Sequence, residues 1–142
     1  MSKEILILDD EPHNISWLPE YLTGKGYSCV IAKNIKEAID LVTPKKFRAI
    51  VVDLNVPATG EYAAALADKG QLYVKYKGLY FAEHARTLGY RNRQVIVYSV
   101  HDIDEVRLVT DRIRIDYATK GRPRDFKALI DEVLSYDPTQ AS

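Results

Sequence analysis

Five short apolar runs constrain the fold of this chain more than any other feature. They lie at residues 5–8, 29–32, 49–52, 95–98 and 115–118, and they are largely continuous rather than alternating. Such runs are typical of strands that are covered on both faces. Stripes of apolar residues at helical spacing lie between and after them, the clearest being Phe126, Leu129, Ile130, Val133 and Leu134. This order predicts an α/β fold, a doubly wound parallel sheet of five strands with helices on both faces.

The length and charge of the chain limit its possible functions. Its 142 residues are typical of one domain, and a composition of 46% hydrophobic and 28% charged residues indicates a packed, soluble protein. Twenty basic residues balance twenty acidic ones, so the chain lacks the positive charge of a typical nucleic-acid binder. The one cysteine, Cys29, lies in an apolar run, which favours a buried thiol. Since no segment resembles a signal peptide or a membrane span, we expect a cytoplasmic location.

Polar residues follow four of the predicted strands. Two acids end the first strand and one ends the third, while a serine follows the fourth and a lysine the fifth; these residues are Asp9, Asp10, Asp53, Ser99 and Lys120. The carboxyl ends of parallel strands meet at one edge of the sheet, where ligands bind. Three carboxylates at one edge repel each other unless a cation lies among them, and hard oxygen ligands suit Mg²⁺. A carboxylate beside Mg²⁺ can attack phosphorus, while the ammonium and hydroxyl groups bind phosphoryl oxygens.

These residues lie in segments that resemble the receiver domain of two-component response regulators. The segments are residues 5–12, 51–57, 97–99 and 117–120, and the resemblance extends from residue 3 to about residue 135. It implies the flavodoxin-like receiver fold and a phosphorylation-controlled signalling switch. An enzymatic role would be limited to self-phosphorylation and self-dephosphorylation.

The resemblance also implies roles for individual residues. Asp53 would accept a phosphoryl group from a histidine kinase or a phosphotransfer protein. Mg²⁺ would be held by Asp9, Asp10, Asp53 and the backbone carbonyl of Asn55. Lys120 would pair with the phosphoryl oxygens and Ser99 would move towards them, while Tyr117 would be the aromatic switch that turns inward. The altered surface would then bind a downstream protein target or a second copy of the chain, with no direct contact to nucleic acid or membrane.

Two positions next to these residues depart from the family pattern. Gly121 follows Lys120 where the family usually has a proline joined by a cis peptide bond. Because a cis bond before a non-proline residue costs about 2.5–4 kcal/mol, we expect a trans bond here. Val100 and His101 follow Ser99 where a small residue is usual, which predicts slower phosphoryl chemistry or a more shielded aspartyl phosphate. The position of His101 could also bring it near the phosphoryl group.

The largest departure is a segment at residues 58–77, most of which is extra because Gly78 matches the glycine that opens the third helix of the family. We therefore expect a receiver domain at 1–136 with this insertion between the third strand and third helix, followed by a short polar tail at 137–142. Residues 63–67 favour a short helix, and residues 72–77 alternate weakly, as a strand or hairpin arm would. Three tyrosines favour an interaction surface, and the alternative is a tolerated insertion with no role.

Two other functions remain as alternatives. A pseudo-receiver would keep the fold and act as a phosphorylation-independent interaction module, which the absent proline and Val100 favour. An aspartyl-phosphate hydrolase of another α/β family would need a second acid two residues after the nucleophile, where this chain has Asn55. A nucleotide-binding domain is not among the alternatives. It would need a glycine-rich turn after the first strand, where residues 9–12 carry three acids and a proline instead.

Overall fold

A computed structural model describes residues 2–58, 60–91 and 93–135 of the chain. The predicted polar tail, 137–142, lies outside these residues, as does residue 136 at the end of the predicted domain. No helix in the described part of the chain is long and apolar enough to cross a bilayer.

Five parallel strands form one sheet in the order β2-β1-β3-β4-β5. Their bounds are Glu4–Leu8 (β1), Ser28–Ala32 (β2), Ala49–Val52 (β3), Val95–Ser99 (β4) and Asp116–Thr119 (β5). Each predicted strand is present within one residue of its expected bounds at either end. The sheet confirms the predicted doubly wound α/β fold.

Within the described residues, seven α-helices cover the sheet on both faces. They are Trp17–Gly24 (α1), Ile35–Leu41 (α2), Glu61–Lys69 (α3), Gln71–Lys75 (α4), Gly78–Thr87 (α5), Asp104–Ile113 (α6) and Pro123–Leu134 (α7). Alternate residues of the strands point to opposite faces, so Ile5 and Ile7 pack beneath α1 and α7, whereas Leu6 and Leu8 pack beneath the other helices. Two separate cores explain why the central strands are apolar at every position.

The first α-helix begins only two residues before Pro19. A 3₁₀ turn, Pro12–Ile15, precedes α1, and Pro19 is the third residue of the helix. The first four backbone N–H groups of a helix have no partner within it, so a proline costs no hydrogen bond there. The buried residue Ile15 therefore lies in the 3₁₀ turn, whereas Leu18 and Leu22 lie in α1.

The insertion forms two helices that pack on the core. The predicted helix is present as α3, but the predicted strand-like arm is wrong, because α4 occupies most of that segment. Tyr73 and Tyr76 are buried three residues apart, which is helical spacing, while Val74 between them is exposed. The weak alternation at 72–77 therefore did not indicate the buried face. Since Tyr73 and Tyr76 are part of the core, they are not a surface for a partner.

Charged side chains also attach the insertion to the neighbouring helices. The side chain of Glu83, on α5, is only 16% exposed. Its carboxylate lies 3.0 Å from Lys69 Nζ of α3 and 3.6 Å from Arg112 Nη2 of α6. The Lys69 ammonium group also lies 4.8 Å from the centre of the Tyr73 ring. Burial and the Glu83 carboxylate raise the pKa of the Tyr73 hydroxyl, so it remains protonated at neutral pH. The insertion is thus joined to α5 by Lys69, and the same Glu83 carboxylate also joins α5 to α6.

The docking of the insertion predicts the effect of shortening Leu66, which lies on α3 and is 1% exposed. We expect Leu66→Ala to lower the free energy of unfolding by about 2–5 kcal/mol, because it leaves a cavity under the insertion. Leu108→Ala is the matched control, since Leu108 is 72% exposed and should cost less than about 0.5 kcal/mol. Urea unfolding measures both variants. Equal, small effects would mean that the insertion does not contribute to the core.

Candidate functional site

The polar residues at the strand ends lie around one small cavity. Asp9 and Asp10 follow β1, Asp53 follows β3 and Lys120 follows β5. The cavity has a volume of about 210 Å³ and is lined by Asp9, Asp10, Glu11, Asn14, Asp53, Asn55, Val100 and Lys120. It lies at the carboxyl edge of the parallel sheet, as expected for a ligand site in this class of fold.

Lys120 joins the two buried carboxylates of the cavity. Its ammonium group donates hydrogen bonds to Asp9 Oδ2 at 2.8 Å and to Asp53 Oδ2 at 3.1 Å. Its backbone N–H donates to the Ser99 carbonyl oxygen at 2.7 Å, which fixes the start of the side chain against β4. Asp9 is 1% exposed and Asp53 is 8% exposed. Two carboxylates so poorly hydrated can lie together because the ammonium group lies between them.

The second oxygen of each buried carboxylate accepts a backbone hydrogen bond. Asp9 Oδ1 accepts from the Glu11 N–H at 2.8 Å, and Asp53 Oδ1 accepts from the Asn55 N–H at 3.2 Å. In both cases the donor is two residues further along the chain, the local turn that aspartate favours after a strand. These bonds orient both carboxylates before any ligand arrives.

Burial and charge shift the proton affinities of the two central groups in the same direction. Burial raises the pKa of Asp53, and the positive charge of Lys120 opposes this effect only in part. Burial disfavours the charge on Lys120, but the hydrogen bond to Asp9 and the charge of Asp53 outweigh it and raise the pKa of the ammonium group. Lys120 is therefore charged at neutral pH. A further cation near Asp53 would stabilise the charged form of its carboxyl group.

The composition of the cavity fits a divalent cation. Asp9, Asp10 and Asp53 each offer a carboxylate oxygen, and these oxygens lie within 4.8 Å of one another. Among the described residues that line the cavity, four carboxylates including Glu11 face a single ammonium group. Oxygen ligands with an excess of negative charge are the donor set that Mg²⁺ prefers. The cluster could thus bind a metal ion.

Lys120 reaches the carboxylates without a following proline. The described residues contain no cis peptide bond, in agreement with the expected trans bond, and Gly121 has a φ of 95°. That left-handed conformation is open to glycine at little cost, so Gly121 turns the chain towards α7 after the lysine. Val100 is 63% exposed and narrows the opening of the cavity, at the position where the family pattern has a small residue.

Ser99 and Tyr117 lie beside the cavity rather than in its lining. The Ser99 side chain is fully buried, and its Oγ accepts a hydrogen bond from the His101 N–H at 3.2 Å. The Tyr117 hydroxyl donates to the His101 carbonyl oxygen and accepts from the Ile103 N–H at 3.1 Å. The Arg107 guanidinium group lies 4.6 Å from the centre of the Tyr117 ring. Both side chains are therefore held by the loop between β4 and α6.

The positions of three residues relative to the cavity differ from what the sequence predicted. His101 does not line the cavity, because its ring packs against Tyr76 of the insertion. Glu11 and Asn14 line the cavity, although sequence reasoning gave them no role. Glu11 directly follows the acidic pair, which could have suggested it, whereas Asn14 comes to the cavity only through the 3₁₀ turn.

Solved structures that resemble this chain share one fold, although no protein-family model and no curated protein matches the sequence. The receiver domain of HemR from Leptospira biflexa is 21% identical with a TM-score of 0.74, and the match covers 97% of this chain and 98% of that one. A CheY-like response regulator receiver domain from Methanospirillum hungatei is 22% identical with a TM-score of 0.72, covering 95% of both chains. The BeF₃-activated receiver domain of Klebsiella pneumoniae RstA is 15% identical with a TM-score of 0.70, covering 94% of this chain and 99% of that one.

This chain has the receiver fold. The matches cover nearly the whole length of this chain. At these identities the likeness concerns the fold, and the function must be argued from the site itself.

Gly78, the first residue of α5, fits the position expected from the receiver pattern for a specific steric reason. A Cβ at this position would collide with the Asp53 carbonyl oxygen and lie 2.9 Å from Leu54 Cα. The Gly78 N–H also donates to the Leu54 carbonyl oxygen at 3.0 Å. The absence of a side chain thus allows α5 to begin directly against the loop that carries Asp53.

This close approach predicts a strong effect of Gly78→Ala. The new methyl group meets rigid backbone, so we expect the variant's free energy of unfolding to fall by about 1–3 kcal/mol or more. Urea unfolding measures this change. Gly24→Ala is the matched control, because a Cβ there has no described atom within 4 Å and alanine favours the end of α1. A Gly78→Ala variant as stable as Gly24→Ala would contradict the described contact.

Proposed function

We propose that this chain is a signalling switch of a two-component phosphorelay that accepts a phosphoryl group on Asp53 with Mg²⁺. The observation that carries this proposal is the ion pair of Lys120 with both Asp9 and Asp53 in an acidic cavity. It supplies a nucleophile, a cation for phosphoryl oxygens and a carboxylate excess for a metal ion at one place. The proposed switch spans residues 1–136, including the insertion at 58–77.

The proposed reaction is a transfer between two side chains. An Asp53 carboxylate oxygen attacks the phosphorus atom of a phosphohistidine on a histidine kinase or phosphotransfer protein. The new P–O bond forms as the P–N bond breaks, and the leaving imidazole takes up a proton. The Lys120 ammonium group then pairs with a phosphoryl oxygen in place of Asp53 Oδ2. A bound Mg²⁺ supplies positive charge that offsets the carboxylates and the phosphoryl oxygens.

The residues that would hold Mg²⁺ are the three aspartates of the cavity and the backbone carbonyl of Asn55. Asp9 and Asp53 are already oriented by backbone hydrogen bonds, and Asp10 is the exposed member of the cluster. Holding the carboxylates in advance lowers the cost of ordering them around a cation. A bound cation would also favour the charged form of Asp53, whose pKa is raised by burial.

The output would be a population shift in the loop after β4. Without a phosphoryl group, Ser99 and Tyr117 are both hydrogen-bonded to the backbone of this loop. A phosphoryl group on Asp53 offers the Ser99 hydroxyl a stronger, charged acceptor, and the inward turn of Tyr117 fills the space that Ser99 leaves. The altered surface near α6 and β5 would recruit a downstream protein or a second copy of the chain. We propose a cytoplasmic role with no enzymatic activity beyond self-phosphorylation and self-dephosphorylation.

A pseudo-receiver is the second candidate function. It is favoured by Val100, which is 63% exposed at the opening of the cavity, and by the limited exposure of Asp53. In that case the ion pair of Lys120 would be a structural element, and the chain would bind partners without phosphorylation. The two candidates differ in one property, the chemical reactivity of Asp53.

Acetyl phosphate tests this reactivity without a partner protein. We expect wild-type protein with acetyl phosphate and Mg²⁺ to gain one phosphoryl group, measured by intact mass, and Asp53→Asn to gain none because it lacks the nucleophile. Asp68→Asn is the matched control, since Asp68 is exposed on α3. It should react like the wild type.

The Mg²⁺ dependence provides the second arm of this experiment. Omitting Mg²⁺ or introducing Asp10→Asn should slow the uptake about tenfold or more, because a charged ligand of the cation is lost. If the wild type gains no phosphoryl group from acetyl phosphate, the pseudo-receiver is favoured, and only a phosphohistidine donor could still phosphorylate Asp53. If Asp53→Asn gains as much as the wild type, Asp53 is not the acceptor and the proposed switch is wrong.

A further inference from the structure

The end of the insertion lies against two of the loops around the site, those after β3 and β4. Tyr76 directly follows α4, and two residues later Gly78 packs against the backbone of Asp53. The Leu79 N–H donates to the Tyr76 carbonyl oxygen at 3.1 Å, which ties Tyr76 to the first turn of α5. The backbone around Tyr76 is therefore fixed relative to the loop that carries the proposed phosphoryl acceptor.

The side chain of Tyr76 contacts the other loop of the site, between β4 and α6. It is 5% exposed, and its ring centre lies 6.0 Å from that of His101, with the two planes inclined at 60°. Such tilted aromatic pairs contribute attraction beyond the burial of their surface. The His101 side chain is thus directed to the insertion and away from the cavity.

The backbone of His101 holds both proposed switch residues. Its N–H donates to Ser99 Oγ at 3.2 Å, and its carbonyl oxygen accepts from the Tyr117 hydroxyl. The Ile103 N–H adds a second bond to the Tyr117 hydroxyl at 3.1 Å. If the loop stays in place, a movement of Ser99 towards Asp53 or of Tyr117 inward breaks a hydrogen bond to it.

We propose that Tyr76 is a positioning residue that, through His101, holds Ser99 and Tyr117 in the non-phosphorylated arrangement. The inference rests on the proposed function and assigns a role to the insertion within it. Tyr76 stabilises the loop in which both hydrogen bonds form, so it opposes the switch. Coupling between sites is reciprocal, and a phosphoryl group on Asp53 therefore weakens the contact of the insertion with His101.

Tyr73 offers a matched comparison for Tyr76. Both tyrosines are buried on the same part of the insertion, three residues apart. Tyr73 lies beside Lys69 and Glu83, whereas Tyr76 contacts His101. Replacing either tyrosine by leucine removes a buried ring from the core. Only Tyr76→Leu also removes the contact with His101 in the loop between β4 and α6. A purely structural role would give both variants the same effect on the site.

The experiment compares wild type, Tyr76→Leu and Tyr73→Leu in the full chain. The amides of His101 and Ile103 donate the hydrogen bonds to Ser99 and Tyr117, so their hydrogen exchange, measured by NMR, reports on both bonds directly. We expect these two amides to exchange at least about fivefold faster in Tyr76→Leu than in the wild type. Tyr73→Leu should stay within about twofold of the wild type. The rate of phosphoryl uptake from acetyl phosphate with Mg²⁺ should rise by a similar factor in Tyr76→Leu alone.

Each outcome decides the inference. Equal exchange in the two variants would overturn it. If the wild type is phosphorylated, faster exchange in Tyr76→Leu without faster uptake would overturn it as well. The exchange measurement requires no phosphoryl group, so it separates the inference from the proposed function. If the wild type takes up no phosphoryl group, the proposed function fails, and the exchange rates of the two amides alone decide whether Tyr76 positions the loop.

Discussion

The ammonium group of Lys120 lies between two carboxylates that would otherwise repel each other at the end of the sheet. Asp9 and Asp53 are 111 and 67 residues away from it in the chain, so only the parallel topology brings the three together. Each aspartate accepts a hydrogen bond from a backbone N–H of its own turn, and the backbone N–H of Lys120 donates to the Ser99 carbonyl oxygen of β4. The ion pair therefore depends on the whole sheet, and the charge distribution of the cavity depends on the ion pair.

The insertion is part of the same structure rather than an appendage. It contributes Leu66, Tyr73 and Tyr76 to the core on one face of the sheet, and its two helices lead directly into Gly78 at the Asp53 loop. Long loops cost little stability in general, but a docked segment can also carry information between surfaces. In this chain Tyr76, directly after α4, contacts His101 in the loop that holds Ser99.

The sheet and the polar residues of its edge were predictable from sequence, because continuous apolar strands and their order determine which residues meet. The fold of residues 72–77 was not, since a weak alternation of five or six residues does not separate a strand from one turn of helix whose buried face is set by tertiary packing. The placement of His101 against Tyr76, rather than in the cavity, depends on a contact between the insertion and a distant loop. No local pattern at either residue indicates it.

The central claim is that Asp53, Lys120 and Ser99 together receive a phosphoryl group, and a crystal structure grown with Mg²⁺ and beryllofluoride, a phosphoryl analogue, tests it most directly. The account predicts beryllium bonded to an Asp53 carboxylate oxygen, with Lys120 Nζ and Ser99 Oγ hydrogen-bonded to its fluorine atoms and the Ser99 bond to His101 broken. A structure at saturating reagent in which Lys120 still joins Asp9 to Asp53 and no fluoride is bound there would contradict it.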